Sequence, residues 1–321
     1  MKNLRIIFMG SPEFAVATLG SLLMNGCNVA GVVTTPDKPS GRGRKIKKSA
    51  VKKFAESNFL FIMQPENLKD PEFIKTLKDL NADLFIVVAF RMLPETVWKL
   101  PLIGTINLHA SLLPDYRGAA PINHAIINGE SVTGVTTFFI DEKIDNGRIL
   151  LQEEIPIFPF ENAGDLHDRL MVHGARLVIK TISEIADNKI TPIPQSQLVN
   201  AEKWPKTAPK INPDFCFIDW NKDAVAIHNF IRGLAPSPGA KSFFRNDSSS
   251  HTYKVYESHP ESAIHIYKPG QIISDGKQYI RVACNDGFLN IINLQLEGKT
   301  RMNTTEFLRG FRISDYAITF S

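Results

Sequence analysis

Along the first half of the chain, apolar residues fall in short continuous blocks rather than in strict alternation. That is the pattern of strands buried on both faces of a parallel sheet. Residues 4–9 form such a block and stop at Gly10. Ser11-Pro12-Glu13 follows, with a capping hydroxyl, a proline suited to a first helical turn and an early carboxylate. The spacing predicts a helix from there to about Asn25-Gly26, then a strand over 29–34. This βαβ opening predicts an α/β fold: a Rossmann-like open, mostly parallel sheet with helices on both faces. Residues 83–90, 104–110 and 134–140 read as further strands, and 148–155 as an antiparallel edge strand. A helix over 163–187 closes this half.

The pattern then breaks. Pro192, Pro194, Pro205, Pro209 and Pro213 mark a linker, placed at 191–210, between a first domain over 1–190 and a second over 211–321. In the second, a helix over 222–233 precedes strand-like runs near 252–257, 271–273, 278–284 and 287–294. Turns at Asp275-Gly276 and Asp286-Gly287 separate the later runs, which predicts a smaller, OB-like β-barrel with a helical exit near 304–309.

Composition narrows the class. The 321 residues are 43% apolar, enough to core two domains, and no apolar run approaches the ~20 residues of a membrane span. Residues 1–10 read as a buried strand rather than a secretory leader, so a cytoplasmic protein is expected. Cys27, Cys216 and Cys284 are too few and too far apart for a disulfide framework or a Cys-rich zinc site. Nothing in the chain asks for a dimer, and a monomer is expected.

The net charge of +4 hides a local cluster. Residues 38–53 carry eight basic side chains (Lys38, Arg42, Arg44, Lys45, Lys47, Lys48, Lys52 and Lys53) and no acid, while the rest of the first 205 residues is net acidic. Such a cluster favours a polyanion, since each phosphate neutralised releases counterions. A solvated loop entering a helix with lysines on its wet face explains the same residues. Charge alone leaves both readings open.

A dinucleotide fingerprint is missing. Gly10-Ser11-Pro12-Glu13-Phe14 has one glycine where three are wanted, so no nucleotide cofactor is expected, and no His/Cys grouping has metal-ligand spacing. The chemistry concentrates instead in residues 104–122. Alternation puts Thr105, Asn107 and His109 on one face of a strand that should be covered by helices on both. Asn can donate to a developing oxyanion and His titrates near neutrality. Equally, both could satisfy backbone groups at a strand end. Asp145, within Asp141-Glu142-Lys143-Ile144-Asp145-Asn146-Gly147, could orient the histidine, although Asp, Asn and Gly are ordinary turn residues.

Asn107-x-His109, the loop Ser111-Leu112-Leu113-Pro114 leading to Tyr116-Arg117-Gly118-Ala119-Ala120-Pro121-Ile122, and Asp145 followed by Gly147 resemble the 10-formyltetrahydrofolate-dependent formyltransferases. The longer match is to members of that family that act on an aminoacylated tRNA. It takes in residues 8–15, 35–44, 134–137 and 231–240.

The resemblance implies transfer of a formyl group from 10-formyltetrahydrofolate, the co-substrate, to the α-amino group of methionine on initiator tRNA. No metal or nucleotide cofactor is implied. Asn107, His109 and Asp145 would be the catalytic trio, and Ser111, Leu112, Leu113 and Pro114 would line the folate site. Phe90 and Arg91 would border the pterin, in a segment one residue shorter than the family pattern, with Arg91 where a glycine is usual. Lys38, Arg42, Arg44, Lys45, Lys47 and Lys48 would grip the tRNA, helped by the C-terminal barrel. A glycinamide ribonucleotide or sugar-amine formyltransferase would share the trio but leave the basic insert and second domain unexplained. A non-catalytic RNA-binding protein would leave the polar strand face without purpose.

Overall fold

The computed structural model describes residues 4–40, 45–199, 204–245 and 249–313. They gather into two compact units. The first comprises Met1–Gly118, Thr133–Pro156 and His167–Thr207, and the second Ala119–Val132, Ile157–Leu166 and Ala208–Ser321.

In chain order the elements begin β1 (Arg5–Gly10), α1 (Glu13–Met24), β2 (Asn28–Val33), β3 (Lys38–Ser40), β4 (Lys45–Lys47), α2 (Ala50–Ser57), β5 (Ile62–Met63) and α3 (Pro71–Asp79). They continue with β6 (Leu84–Val88), α4 (Glu95–Trp98), β7 (Gly104–His109), β8 (Arg117–Gly118), α5 (Pro121–Ile127), β9 (Val132–Phe139), β10 (Ile149–Pro156), α6 (Ala163–Ala186) and β11 (Thr207–Ala208). The main sheet of the first unit has the order β10-β9-β7-β6-β1-β2-β5. β2, β1, β6 and β7 run parallel, as the continuous apolar blocks predict, and β9 turns antiparallel against β7.

Both sheet faces are covered, by different means. On one, Ile7, Met9, Phe85 and Val87 join Phe73, Leu77, Leu93 and Val97 in a single cluster. On the other, α6 lies close: a Cβ on Gly174 would come 2.8 Å from a Leu108 methyl, and Thr181 hydrogen-bonds Thr137 at 2.8 Å. One start signal differs from expectation. α1 begins at Glu13 with Pro12 as an extended N-cap, since a proline's fixed φ suits either position, and the Ser11 hydroxyl is buried with no partner among the described residues.

The second unit continues with α7 (Ala224–Leu234), β12 (Ala240–Arg245), β13 (Ser250–Ser262), β14 (Ile272–Ser274), β15 (Ile280–Ala283), β16 (Gly287–Leu296), β17 (Met302–Asn303) and α8 (Thr304–Gly310). Its sheet is antiparallel and curled, in the order β12-β13-β16-β15-β14 with β17 on β16. α7 buries Ala224, Ile227, Ile231 and Leu234 at helical spacing against it. Alternation along the sequence does not mark β12, because its central Ser242 is fully buried, where it accepts a hydrogen bond from Trp220 Nε1 at 3.0 Å. Arg232, also buried, donates to the carbonyls of Phe158 and Glu161 at 3.3 and 2.9 Å and ties residues 157–161 into this unit.

His228 on α7 is 8% exposed, with Nδ1 3.2 Å from the Ser258 hydroxyl. Burial, and then the charge of Arg232, hold its pKa below the usual histidine value. The unfolded chain takes up a proton here below about pH 6.5 while the folded one resists it, so stability is lost as pH falls through that range. Urea unfolding at pH 7.5 and 5.5 should show a smaller loss for His228→Gln than for the unaltered chain. An equal loss in both would remove His228 from the acid response.

Candidate active site

β7 carries the polar stripe that its alternation predicts, and its three members are treated differently. Thr105 is 2% exposed and its hydroxyl donates to the Trp98 carbonyl at 2.7 Å, a purely structural use. Asn107 lies between Val87 on β6 and Phe138 on β9, is half-buried, and makes no side-chain hydrogen bond among the described residues. His109 is 7% exposed, opposite Thr136. Its Nε2 lies 2.9 Å from the Tyr116 carbonyl. A carbonyl only accepts, so Nε2 carries a proton and donates it, leaving Nδ1 as the ring's open nitrogen.

Nδ1 faces Asp145 Oδ2 at 3.9 Å, too long for a hydrogen bond and close enough for an ion pair once the ring is protonated. The Asp145 carboxylate is held by the Gly118 N–H at 3.0 Å. Reaching that position takes a difficult path. β9 ends at Phe139, opposite Ile106, three residues or about 10 Å short of His109. The chain must therefore run back along β7, and it does so through a turn with Asp145 in the left-handed region at φ 51°. Gly147 closes the turn against β9: a Cβ there would lie 1.6 Å from the Phe139 carbonyl oxygen.

Gln195, whose segment reads from sequence as linker, completes this arrangement. It is 2% exposed, donates to the carbonyls of Asp145 and Gly147 (both 2.9 Å), and accepts from Arg117 Nε and Nη2 at 2.9 and 2.6 Å. Sequence reasoning missed it, together with the parts played by the Tyr116 carbonyl, the Gly118 N–H and Arg117. Tyr116, Arg117 and Gly118 lie inside a motif that the sequence singles out, whereas Gln195 lies in none.

The expected folate-site residues divide. The Ser111 hydroxyl is fully buried and donates to the Asp115 carbonyl at 2.7 Å, so it shapes the loop. Leu113 is core, packed with Phe138 and Ile149. Leu112 is packed close to Gly134, and both Leu112 and Pro114 are half-buried. Phe90 is half-buried against the cluster beneath β6, directly after Ala89 at φ 46°. Arg91 turns back to donate to the Pro65 and Glu66 carbonyls at 2.7 and 3.0 Å.

Of the basic cluster, Lys38 and Lys47 stand opposite each other on the β3–β4 hairpin, exposed and with no acidic partner among the described residues. Lys48 pairs with Glu56 at 2.8 Å, which raises its pKa, and Lys52 pairs with Asp37 at 2.6 Å. Arg42, Arg44 and the Lys45 side chain lie outside the described residues. Among the described residues no group of His, Cys, Asp and Glu could hold a metal, and no helix is long and apolar enough to cross a membrane.

Comparison with known proteins decides the family. Residues 3–182 match the formyl transferase domain and residues 210–312 the formyl transferase C-terminal domain. The chain belongs to the formyltransferase family. It is 50% identical over 315 residues to a methionyl-tRNA formyltransferase of Bacteroides fragilis, covering 98% of this chain and 97% of that protein. A methionyl-tRNA formyltransferase of Flavobacterium johnsoniae is 53% identical over 318 residues, 99% of each chain. Among solved structures, the sugar 3N-formyltransferase WlaRD, crystallised with dTDP and 5-N-formyl-THF, superposes with a TM-score of 0.64 at 24% identity over 92% of this chain and 99% of its own. HypX of Aquifex aeolicus in complex with tetrahydrofolic acid gives 0.63 at 17% identity, over 95% of this chain and 47% of HypX. At those identities the likeness is one of fold.

The closeness of Gly147 to the Phe139 carbonyl makes the Asp145 turn intolerant of any side chain there. Gly147→Ala should lower stability by about 1–3 kcal/mol, an overpacking cost, and reduce formyl transfer by displacing Asp145. Urea unfolding and initial-rate assays check both, and an unchanged variant would show that the turn can move freely.

Proposed function

We propose that this chain transfers the formyl group of 10-formyltetrahydrofolate to the α-amino group of methionyl-initiator tRNA, giving formylmethionyl-tRNA for translation initiation. The acceptor follows from near full-length identity of about half to methionyl-tRNA formyltransferases. What carries the chemistry is one juxtaposition: the uncommitted Asn107 amide two residues from a histidine whose open Nδ1 faces Asp145.

The neutral amine attacks the formyl carbon, a C–N bond forms, and charge collects on the formyl oxygen. Asn107 Nδ2–H donates to that oxygen. His109 Nδ1 takes the proton the amine must lose, and the resulting imidazolium, facing the Asp145 carboxylate, can in turn donate to the oxyanion. The same proton passes to N10 of the folate as the C–N10 bond breaks, which returns the ring to neutrality. Because Nε2 is occupied by Tyr116, all proton traffic runs through Nδ1.

Folate would sit beyond the C-terminal ends of β6 and β7, where open α/β sheets bind ligands, with Phe90, Arg91 and residues 111–114 as its border. Here Ser111 and Leu113 support the wall from behind, leaving Leu112 and Pro114 as its half-buried members. On the acceptor side, like charges facing each other across a hairpin are unfavourable, and a phosphate between Lys38 and Lys47 would relieve them. Arg42, Arg44, Lys45 and Lys48 would extend that grip. We assign catalysis to residues 1–190 and tRNA binding also to 211–321, joined through 191–210, in a monomer acting in the cytoplasm.

The experiment supplies 10-formyltetrahydrofolate with methionyl-initiator tRNA or, separately, glycinamide ribonucleotide. Transfer should go to the tRNA and fall on the order of 10²–10³-fold in Asn107→Ala and at least as far in His109→Ala. Preference for glycinamide ribonucleotide would overturn the acceptor, and transfer undiminished in both variants would overturn the site. Lys38→Ala/Lys47→Ala should raise KM for tRNA and lower the salt slope of binding by about 1–2, leaving kcat largely unchanged. An unaltered slope would take the hairpin out of the tRNA interface.

A further inference from the structure

Gln195 uses every hydrogen-bonding capacity of its amide on the catalytic turn and its neighbour. Nε2 donates to the carbonyls of Asp145 and Gly147, and Oε1 accepts from two nitrogens of Arg117. Its orientation is forced, since arginine only donates and carbonyls only accept. The segment that delivers it is anchored: Ile193 exchanges two 2.8 Å backbone hydrogen bonds with Ile149, at the start of β10, and Gln195–Gln197 forms a 3₁₀ turn.

Asp145 needs such support. A non-glycine residue at φ 51° persists only where its surroundings hold it, and its carboxylate must project from a turn that has doubled back about 10 Å along β7. Gln195 grips the peptide carbonyl of Asp145 itself and that of Gly147, where the turn closes. Through Arg117 it also fixes the residue preceding Gly118, whose N–H holds the carboxylate. Burial lowers the Arg117 pKa, and the carboxylates of Asp145 and Asp141 oppose that shift only in part.

We propose that Gln195 is a positioning residue for the formyl-transfer site. It holds the Asp145 carboxylate opposite His109 Nδ1 from the segment after α6. The inference rests on reading His109 and Asp145 as the working pair. No other side chain of this length meets the demand. Glutamate offers acceptors but no donor, stranding both turn carbonyls, and methionine offers neither.

Gln195→Met should reduce kcat on the order of 10²-fold, the effect of misplacing a catalytic group by about an ångström, with KM for folate and tRNA changed less than about two-fold. Gln195→Glu should show the same loss of kcat while keeping the Arg117 contact. This second variant also serves if the first folds poorly. Action through Asp145 predicts that Gln195→Met/Asp145→Asn is no slower than Asp145→Asn alone.

Kinetic losses that add in the double variant would overturn the proposal. So would a lowered melting temperature with kcat unchanged, which would leave Gln195 a structural residue. If Asp145→Asn itself transfers formyl at full rate, it is the catalytic reading that fails, independently of what Gln195 holds.

Discussion

One carbonyl decides which nitrogen of His109 is open. By accepting from Nε2, Tyr116 fixes the tautomer of His109 and leaves Nδ1 as the only nitrogen able to exchange protons. That carbonyl is itself well held. Tyr116 is 5% exposed at φ 62°, and its N–H donates to the Lys206 carbonyl at 2.6 Å. Asp115 beside it takes the Lys206 N–H at 2.8 Å, and the Asp115 carbonyl takes the Ser111 hydroxyl. The loop after β7 is thus a brace whose purpose is the ring's orientation, and most of its conspicuous residues point inward to build it.

The second constraint is the antiparallel step between β7 and β9. Had β9 run parallel, its C-terminal end would have delivered Asp145 beside His109 directly. Because it runs the other way, the chain leaves the sheet level with Thr105 and Ile106 and returns through a strained turn. Gly147, pressed against the Phe139 carbonyl, and Gln195, gripping the turn from outside, both follow from that geometry. The 3.9 Å gap between ring and carboxylate is also consistent with it. No hydrogen bond locks the pair, so Nδ1 stays open while it faces a carboxylate, as the proposed mechanism requires.

Much of this was legible in the chain. The polar stripe of β7 stands out because its neighbours on the same face, Phe85 and Val87, are apolar; His109 does satisfy a backbone group at the strand end, the Tyr116 carbonyl, while Asn107 has no such partner among the described residues. Asp145 reads from the residues as an ordinary turn residue that could orient the histidine, and it does lie in a turn; its contacts with residues 109 and 118 are ones that periodicity does not reach. Gln195 acts across 50 residues on Asp145 and 78 on Arg117, from a proline-rich stretch whose composition signals only a connection. β12 stayed hidden for a related reason: a buried serine satisfied by Trp220 breaks the alternation that marks a strand.

The basic cluster shows how a count along the chain differs from a count in space. Residues 38–53 contain no acid, yet Asp37 and Glu56, just outside that window, neutralise Lys52 and Lys48. What survives the folding is narrower than eight charges suggest: an exposed hairpin with Lys38 and Lys47 face to face. Two facing ammonium groups repel, and the fold offers them no carboxylate among the described residues although it places one beside each of the next two lysines with partners. An uncompensated pair beside compensated ones is what the proposed tRNA contact asks of this hairpin, since a phosphate between Lys38 and Lys47 would relieve their repulsion.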